Sequence, residues 1–141
     1  MDAIVVGTDG SPGAEAAVQK VIELARGSDA TIHLVCAYSG KSALERIGMT
    51  ARQEPADLRG VAADLLARDE RRFKDAGFKV EKYAREGDAA QTIIDVAGDS
   101  DAELIVIGAH GNSGLRRFML GGVAGKLAHH AQKSLLIVRD D

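Results

Sequence analysis

The chain has very little cysteine: Cys36 is the only one in 141 residues. Because Cys36 has no second cysteine to pair with, an internal disulfide is excluded, which indicates a reducing compartment. The net charge of −3 does not favour nucleic acid or an anionic membrane as a partner. No apolar run has the length of a membrane span, and the N-terminal residues lack the pattern of a secretion signal. We therefore expect a cytoplasmic protein without nucleic-acid or membrane partners.

Two kinds of apolar segment alternate along the chain. Short β-branched runs predict strands, and longer segments with apolar residues at helical spacing predict helices. The predicted strands are residues 3–7, 31–37, 79–85, 104–107 and 134–138, with the third nearer an edge because it alternates with charged residues. The predicted helices begin at Pro12 after an N-cap at Ser11, span 56–76, follow an N-cap at Asp88 as far as Gly98, and span 123–131. The connection 38–55 has no clean period.

The alternation predicts an α/β fold, because strands separated by helices cannot pair as hairpins. We expect a single domain of residues 1–141 built on an open, five-stranded parallel sheet with right-handed crossovers. In such sheets a ligand lies beyond the carboxyl ends of the strands, where the strand order reverses. Three strand exits, at residues 7–11, 36–39 and 108–111, share that side.

A glycine-bearing loop joins the fourth predicted strand to the last predicted helix. Glycines let the backbone approach an anion closely, and the unpaired N–H groups at a helix start carry partial positive charge. The loop also contains Arg116 and Arg117, which an anion can use. It is not a P-loop, because Leu127 replaces the Ser or Thr, and His110 excludes the dinucleotide fingerprint. We predict a phosphate cradle formed by Gly108, Gly111, Gly121 and Gly122.

These segments resemble the universal stress protein family along essentially the whole chain. The matching pieces are residues 5–11, 32–35, 86–88, 102–108 and 108–123. The family's nucleotide signature is glycine, two residues, glycine, nine residues, glycine, then Ser or Thr. Gly108, Gly111 and Gly121 keep this spacing, but Gly122 stands in the Ser or Thr position. The resemblance implies a Rossmann-like fold, related to the adenine nucleotide alpha hydrolases, with strand order 3-2-1-4-5 and helices on both faces of the sheet.

The resemblance also implies roles for individual residues. Asp9 is expected to bind a ribose hydroxyl or, as the candidate metal ligand, Mg²⁺; its alternative role is an Asx turn before the first helix. The backbone at Cys36 and Ala37 is expected to read the adenine, while the Cys36 side chain is interpreted as a small buried residue. His110 contacts phosphate or is a solvated loop residue, and the same alternatives hold for Arg117. The predicted nucleotide-binding residues are Gly7, Thr8, Asp9, Cys36, Ala37, Gly108, His110, Gly111, Arg117, Gly121, Gly122 and Val123.

The function that the resemblance implies is a nucleotide-binding, stress-response regulatory protein with ATP and Mg²⁺ as ligands. Gly122 lacks the hydroxyl that helps ATP-binding members hold the terminal phosphates, so AMP, ADP or cAMP compete with ATP as the expected ligand. Apart from His110 we find no general base near the predicted phosphates, so we expect slow ATP hydrolysis at most. The alternative is a protein-interaction module with a vestigial pocket. A homodimer is expected through the apolar last strand, residues 135–138, at a sheet edge.

Overall fold

The computed structural model describes residues 1–39, 57–109 and 122–140 of the chain. The elements in these ranges closely follow the predicted ones, although the predicted connection 38–55 overlaps the second strand at Tyr38 and otherwise lies, from residue 40, outside the described residues. They are β1 (Ala3–Gly7), α1 (Pro12–Ala25), β2 (Thr31–Tyr38), α2 (Leu58–Asp75), β3 (Lys79–Glu86), α3 (Ala89–Asp99), β4 (Leu104–Gly108), α4 (Gly122–His130) and β5 (Ser134–Val138).

The strands form one five-stranded sheet in the order β3-β2-β1-β4-β5. Each neighbouring pair is parallel, which confirms the predicted α/β class and strand order. The chain builds β1, β2 and β3 outward in one direction and then returns to place β4 and β5 on the other side of β1. The strand order therefore reverses between β1 and β4, so their carboxyl ends flank the crevice in which this architecture binds ligands.

Helices cover both faces of the sheet, as predicted. Ile4 and Val6 of β1 pack with α1 and α2, whereas their neighbour Val5 packs with α3 and α4. Successive side chains of a strand point to opposite faces. The two-sided burial explains why β1 and β4 are continuous apolar runs rather than alternating ones.

Capping side chains fix the starts of α1, α2 and α3. Ser11 Oγ accepts a hydrogen bond of 3.2 Å from the Ala14 N–H and precedes a proline at the first helical position of α1. Asp88 Oδ2 accepts one of 3.0 Å from the Gln91 N–H at the start of α3. Both N-caps were predicted from the sequence. The start of α2 is placed two residues later than predicted, because Asp57 caps this helix through the Gly60 N–H at 2.8 Å.

The edge strand β3 carries a polar cluster with its neighbour β2. Nδ1 of His33 and the hydroxyl of Tyr83 share a hydrogen bond of 2.8 Å, and the same hydroxyl donates to Glu81 Oε2 at 3.1 Å. The His33 ring is stacked on that of Tyr83. Burial lowers the pKa of His33, and this effect outweighs the Glu81 carboxylate, which acts to raise it. The folded protein therefore favours neutral His33.

We expect this histidine to make stability depend on pH. The unfolded chain protonates His33 near pH 6.5, before the folded protein does, so its contribution is present above that pH and is lost as the pH falls towards the lowered pKa of the folded state. The free energy of unfolding, measured by urea titration between pH 7.5 and 5.5, should fall less steeply in His33→Gln than in the wild type. Equal slopes would contradict this role of His33.

Candidate functional site

The three predicted strand exits meet at the carboxyl end of the sheet. The N–H of Thr8, the first residue after β1, donates to the Val35 carbonyl of β2 at 2.9 Å. On the other side, a Cβ added to Gly108 would lie 2.5 Å from the carbonyl carbon of Gly13, so the end of β4 lies directly against the first turn of α1. The segment between β1 and α1, residues 8–11, thus lies between the exits of β2 and β4. We call it the β1 exit loop.

The β1 exit loop is held by its own side chains. Asp9 Oδ1 accepts a hydrogen bond of 2.9 Å from the Ser11 N–H, which is the Asx turn anticipated as the alternative role of Asp9. Gly10 has φ +78°, a left-handed conformation that favours glycine, and an added Cβ would lie 2.8 Å from Leu65 Cδ2 of α2. The Asx turn uses one carboxylate oxygen of Asp9. The roles of Asp9 towards ribose and Mg²⁺ remain predictions.

The Thr8 side chain contacts α2. It is 6% exposed, and its hydroxyl donates to Asp69 Oδ2 at 2.7 Å. Asp69 is 1% exposed and lies on a helix face whose other buried residues are Ala62, Leu66 and Phe73. The sequence places Asp69 on the buried face by its spacing but gives it no function. The signal that could have found it is an acidic residue at an apolar position of an amphipathic helix.

Packing accounts for one predicted site glycine, Gly108, and crowds a second, Gly7. A Cβ at Gly108 would overlap the backbone of Gly13, and one at Gly7 would lie 2.9 Å from Ile93 Cδ1 of α3. Gly108 therefore requires glycine whether or not an anion approaches it, whereas at Gly7 the contacting atom is the end of a flexible side chain that can shift. Gly122, the first residue of α4, is different, because an added Cβ there meets no atom of residues 1–39, 57–109 and 122–140 within 4 Å. The predicted roles of Gly108 and Gly122 in a phosphate cradle, and of Gly7 in nucleotide binding, stay predictions.

Cys36 lies at the β2 exit with its side chain 4% exposed, which confirms its interpretation as a small buried residue. Burial raises the pKa of the thiol to about 11, and the carboxylates of Asp9 and Asp69 add to the shift. The thiol is therefore protonated and unreactive at neutral pH. Ala37, the next residue of β2, is half-buried and pairs in register with Arg85 of β3. Both residues lie near the carboxyl end of β2, at the end of the sheet where the nucleotide is expected.

The start of α4 is tied to the start of α3. Lys126 Nζ lies 3.0 Å from Oδ1 of Asp88, the residue that caps α3. Val123, one turn earlier, is half-buried against the cluster under α3 and α4. Four predicted site residues, His110, Gly111, Arg117 and Gly121, lie outside the described residues, as does Arg116. Their roles stay predictions.

The described residues provide no ready-made metal centre: no group of three or more His, Cys, Asp or Glu side chains in residues 1–39, 57–109 and 122–140 is arranged to hold an ion. Asp9 as a single carboxylate fits Mg²⁺ bound mainly by phosphates and water, which is how this ion is commonly held at nucleotide sites. None of the helices formed by these residues combines the length and hydropathy that a membrane crossing needs.

A known protein family and its individual members match this chain over nearly its whole length. A model of the universal stress protein family matches residues 1–139. The universal stress protein Rv1636 of Mycobacterium tuberculosis is 30% identical over 138 residues, which cover 96% of this chain and 94% of the relative.

Two solved structures share the fold. A universal stress protein in complex with cAMP is 26% identical with a TM-score of 0.72, over 99% of this chain and 98% of its own. The universal stress protein from Archaeoglobus fulgidus in complex with dAMP is 22% identical with a TM-score of 0.71, over 97% and 96% of the two chains.

Proposed function

The chain belongs to the universal stress protein family, and from this premise we propose that it binds an adenine nucleotide at the carboxyl end of its sheet and acts as a cytoplasmic stress-response regulator. The observation that carries the proposal is the meeting of the β1, β2 and β4 exits where the strand order reverses. Structural relatives that hold cAMP and dAMP support an adenine nucleotide as the ligand class.

The charges of the site suggest how the nucleotide is oriented. Asp9 lies in the β1 exit loop, between the exits of β2 and β4, and its carboxylate, which contributes to the raised pKa of the Cys36 thiol, repels phosphate. We therefore assign the adenine to the backbone of Cys36 and Ala37, and the sugar to Asp9. The phosphates are assigned to the start of α4, where Gly122 and Val123 present the positive end of the helix dipole. His110, Gly111, Arg117 and Gly121 are proposed for the same phosphate contacts.

The number of phosphates is the open choice within this proposal. We take ATP with Mg²⁺ as the first ligand, with Asp9 placed to contact the ion directly or through water. Gly122 offers its N–H but no hydroxyl, which reduces the advantage of a triphosphate over AMP, ADP or cAMP. The proposal includes no catalytic step.

Thermal unfolding in the presence of single nucleotides tests the proposed function. A ligand at 100 times its dissociation constant stabilises the native state by about 2.7 kcal/mol. We expect Tm to rise with at least one of ATP, ADP, AMP and cAMP, and to remain unchanged with the matching guanine nucleotides; each is tested with and without Mg²⁺. If no adenine nucleotide raises Tm, the nucleotide proposal is wrong and the interaction module with a vestigial pocket takes its place.

We also propose that the protein forms a homodimer through β5. This strand is at the sheet edge, and Leu135, Leu136 and Ile137 are only partly buried within the chain. The Ala109 N–H donates to the Val138 carbonyl, so the backbone groups of Val138 face β4 and those of its neighbour Ile137 face outward. An apolar edge with outward N–H and C=O groups can pair with the same strand of a second copy about a two-fold axis.

Ile137→Pro is expected to yield a monomer, because proline removes the outward N–H of β5 while leaving the bond between Ala109 and Val138. Ile137→Ala is the matched control, since it shortens the side chain but keeps the N–H, and it should remain a dimer. Light scattering with size-exclusion chromatography measures the mass. A dimer that persists in Ile137→Pro would rule out pairing through this strand.

A further inference from the structure

We propose that Asp69 is a positioning residue of the nucleotide site: its buried carboxylate, through the hydroxyl of Thr8, holds the β1 exit loop in the geometry that presents Asp9 to the sugar. The inference rests on the proposed function, and it places a residue of α2 in the binding apparatus. Thr8 then acts on the nucleotide through the loop rather than by touching it.

Two contacts from α2 fix the β1 exit loop. In the first, Asp69 Oδ2 accepts a hydrogen bond from the Thr8 hydroxyl at 2.7 Å. The Thr8 N–H donates to the Val35 carbonyl of β2 at 2.9 Å, so both polar hydrogens of Thr8 are used. One turn earlier in α2, the end of the Leu65 side chain packs against Gly10, whose φ of +78° favours glycine. The loop is thus held at its first and third residues by a single helix.

The choice of an acidic residue is unfavourable for stability alone. Burying a carboxylate carries a desolvation penalty, and a well-packed apolar pair at such a position is often as stable or more so. The cation that pairs with it among the described residues is weakly placed: Arg68 Nε lies 3.5 Å from Asp69 Oδ1, and the same guanidinium lies 3.6 Å from Glu15 Oε1. The hydrogen bond from Thr8 to Asp69 therefore fixes the orientation of the Thr8 side chain more than it adds net stability.

Fixing the orientation of Thr8 also restricts the position of Asp9. Thr8 and Asp9 are consecutive, and Asp9 is held on its other side by the Ser11 N–H at 2.9 Å. Ser11 in turn caps α1. The Asp9 carboxylate is thus fixed between α2 and the start of α1, and a group that is already ordered loses little conformational freedom when ligand binds.

The test compares affinity with stability in the full-length protein. Dissociation constants for ATP with Mg²⁺ and for AMP are measured by calorimetry, and the free energy of unfolding by urea titration. Thr8→Val removes the hydroxyl, and should weaken both nucleotides by about tenfold, the value of one net hydrogen bond. Thr8→Ser keeps the hydroxyl and should restore the wild-type affinity. The double variant Thr8→Val/Asp69→Ala removes the uncompensated carboxylate, so it should be more stable than Thr8→Val but bind no better.

The matched control is Leu66→Ala, a buried position of the same helix that faces the core. It should lose stability and keep the wild-type dissociation constants. If Thr8→Val loses stability but binds ATP and AMP as the wild type does, the positioning role of Asp69 is overturned while the proposed function stands. A wild type that binds neither nucleotide overturns the proposed function, and the inference with it.

Discussion

Gly108→Ala is expected to lower the free energy of unfolding by about 1–3 kcal/mol, the range for overpacking a close-packed interior. The added Cβ would lie 2.5 Å from the carbonyl carbon of Gly13, 2.7 Å from its oxygen and 2.9 Å from its Cα. Main-chain atoms of α1 cannot move aside as a flexible side chain can, so β4 and α1 must separate. Urea unfolding with linear extrapolation measures the change.

The control for this substitution is Gly125→Ala in α4. An added Cβ at Gly125 meets nothing within 4 Å in the part of the chain that the structure describes, and alanine inside a helix is about 0.5–1 kcal/mol more favourable than glycine. Gly125→Ala should therefore be as stable as the wild type or more stable. A Gly108→Ala protein with wild-type stability would mean that the end of β4 does not lie against α1, and the convergence of the strand exits would lose its main support.

Gly122→Ser is expected to tighten ATP binding by one to two orders of magnitude. A hydrogen bond to a charged oxygen is worth about 1.5–3 kcal/mol, and each 1.4 kcal/mol changes the dissociation constant about tenfold. The described residues leave room for the side chain, since none of their atoms lies within 4 Å of a Cβ at Gly122. The hydroxyl would stand at the first residue of α4, where ATP-binding relatives carry Ser or Thr according to the resemblance.

Gly122→Ala separates the hydroxyl from the change in backbone freedom, because it adds the same Cβ without the oxygen. Calorimetry should find a higher ATP affinity for the Ser variant than for the Ala variant, with a smaller difference for AMP, which has no terminal phosphates. Equal affinities of the two variants for ATP would place the phosphates away from residue 122.

Local patterns in the sequence predicted the architecture well. The helix starts at Ser11 and Asp88 could be identified because a capping side chain bonds to an N–H only three residues away. The parallel sheet followed from the alternation of strands and helices, and its strand order from the family resemblance. Capping residues and family motifs are contained in short segments, and the alternation of strands and helices is visible in the order of those segments along the chain.

Long-range contacts at the site could not be predicted in this way. The predicted place of Gly108 in a phosphate cradle stays a prediction, and the sequence gives no sign of its packing partner, Gly13, which lies near the opposite end of the chain. Thr8 stays a predicted nucleotide-binding residue, and nothing in the sequence indicates that its hydroxyl donates to Asp69 on α2. Neither contact leaves a periodic signal, because each depends on how α1 and α2 are placed against the sheet rather than on the local sequence.

Titration of the ¹⁵N-labelled protein with ATP and Mg²⁺, followed through the backbone amide chemical shifts, tests the central claim most directly. Binding at the carboxyl end of the sheet predicts that the largest changes occur at residues 8–11, 36–38, 108–109 and 122–123. The amides at the opposite end, such as Ala30, Glu103 and Ser134, should remain unchanged. Changes confined to that opposite end, or no changes at a saturating nucleotide concentration, would contradict the proposed site.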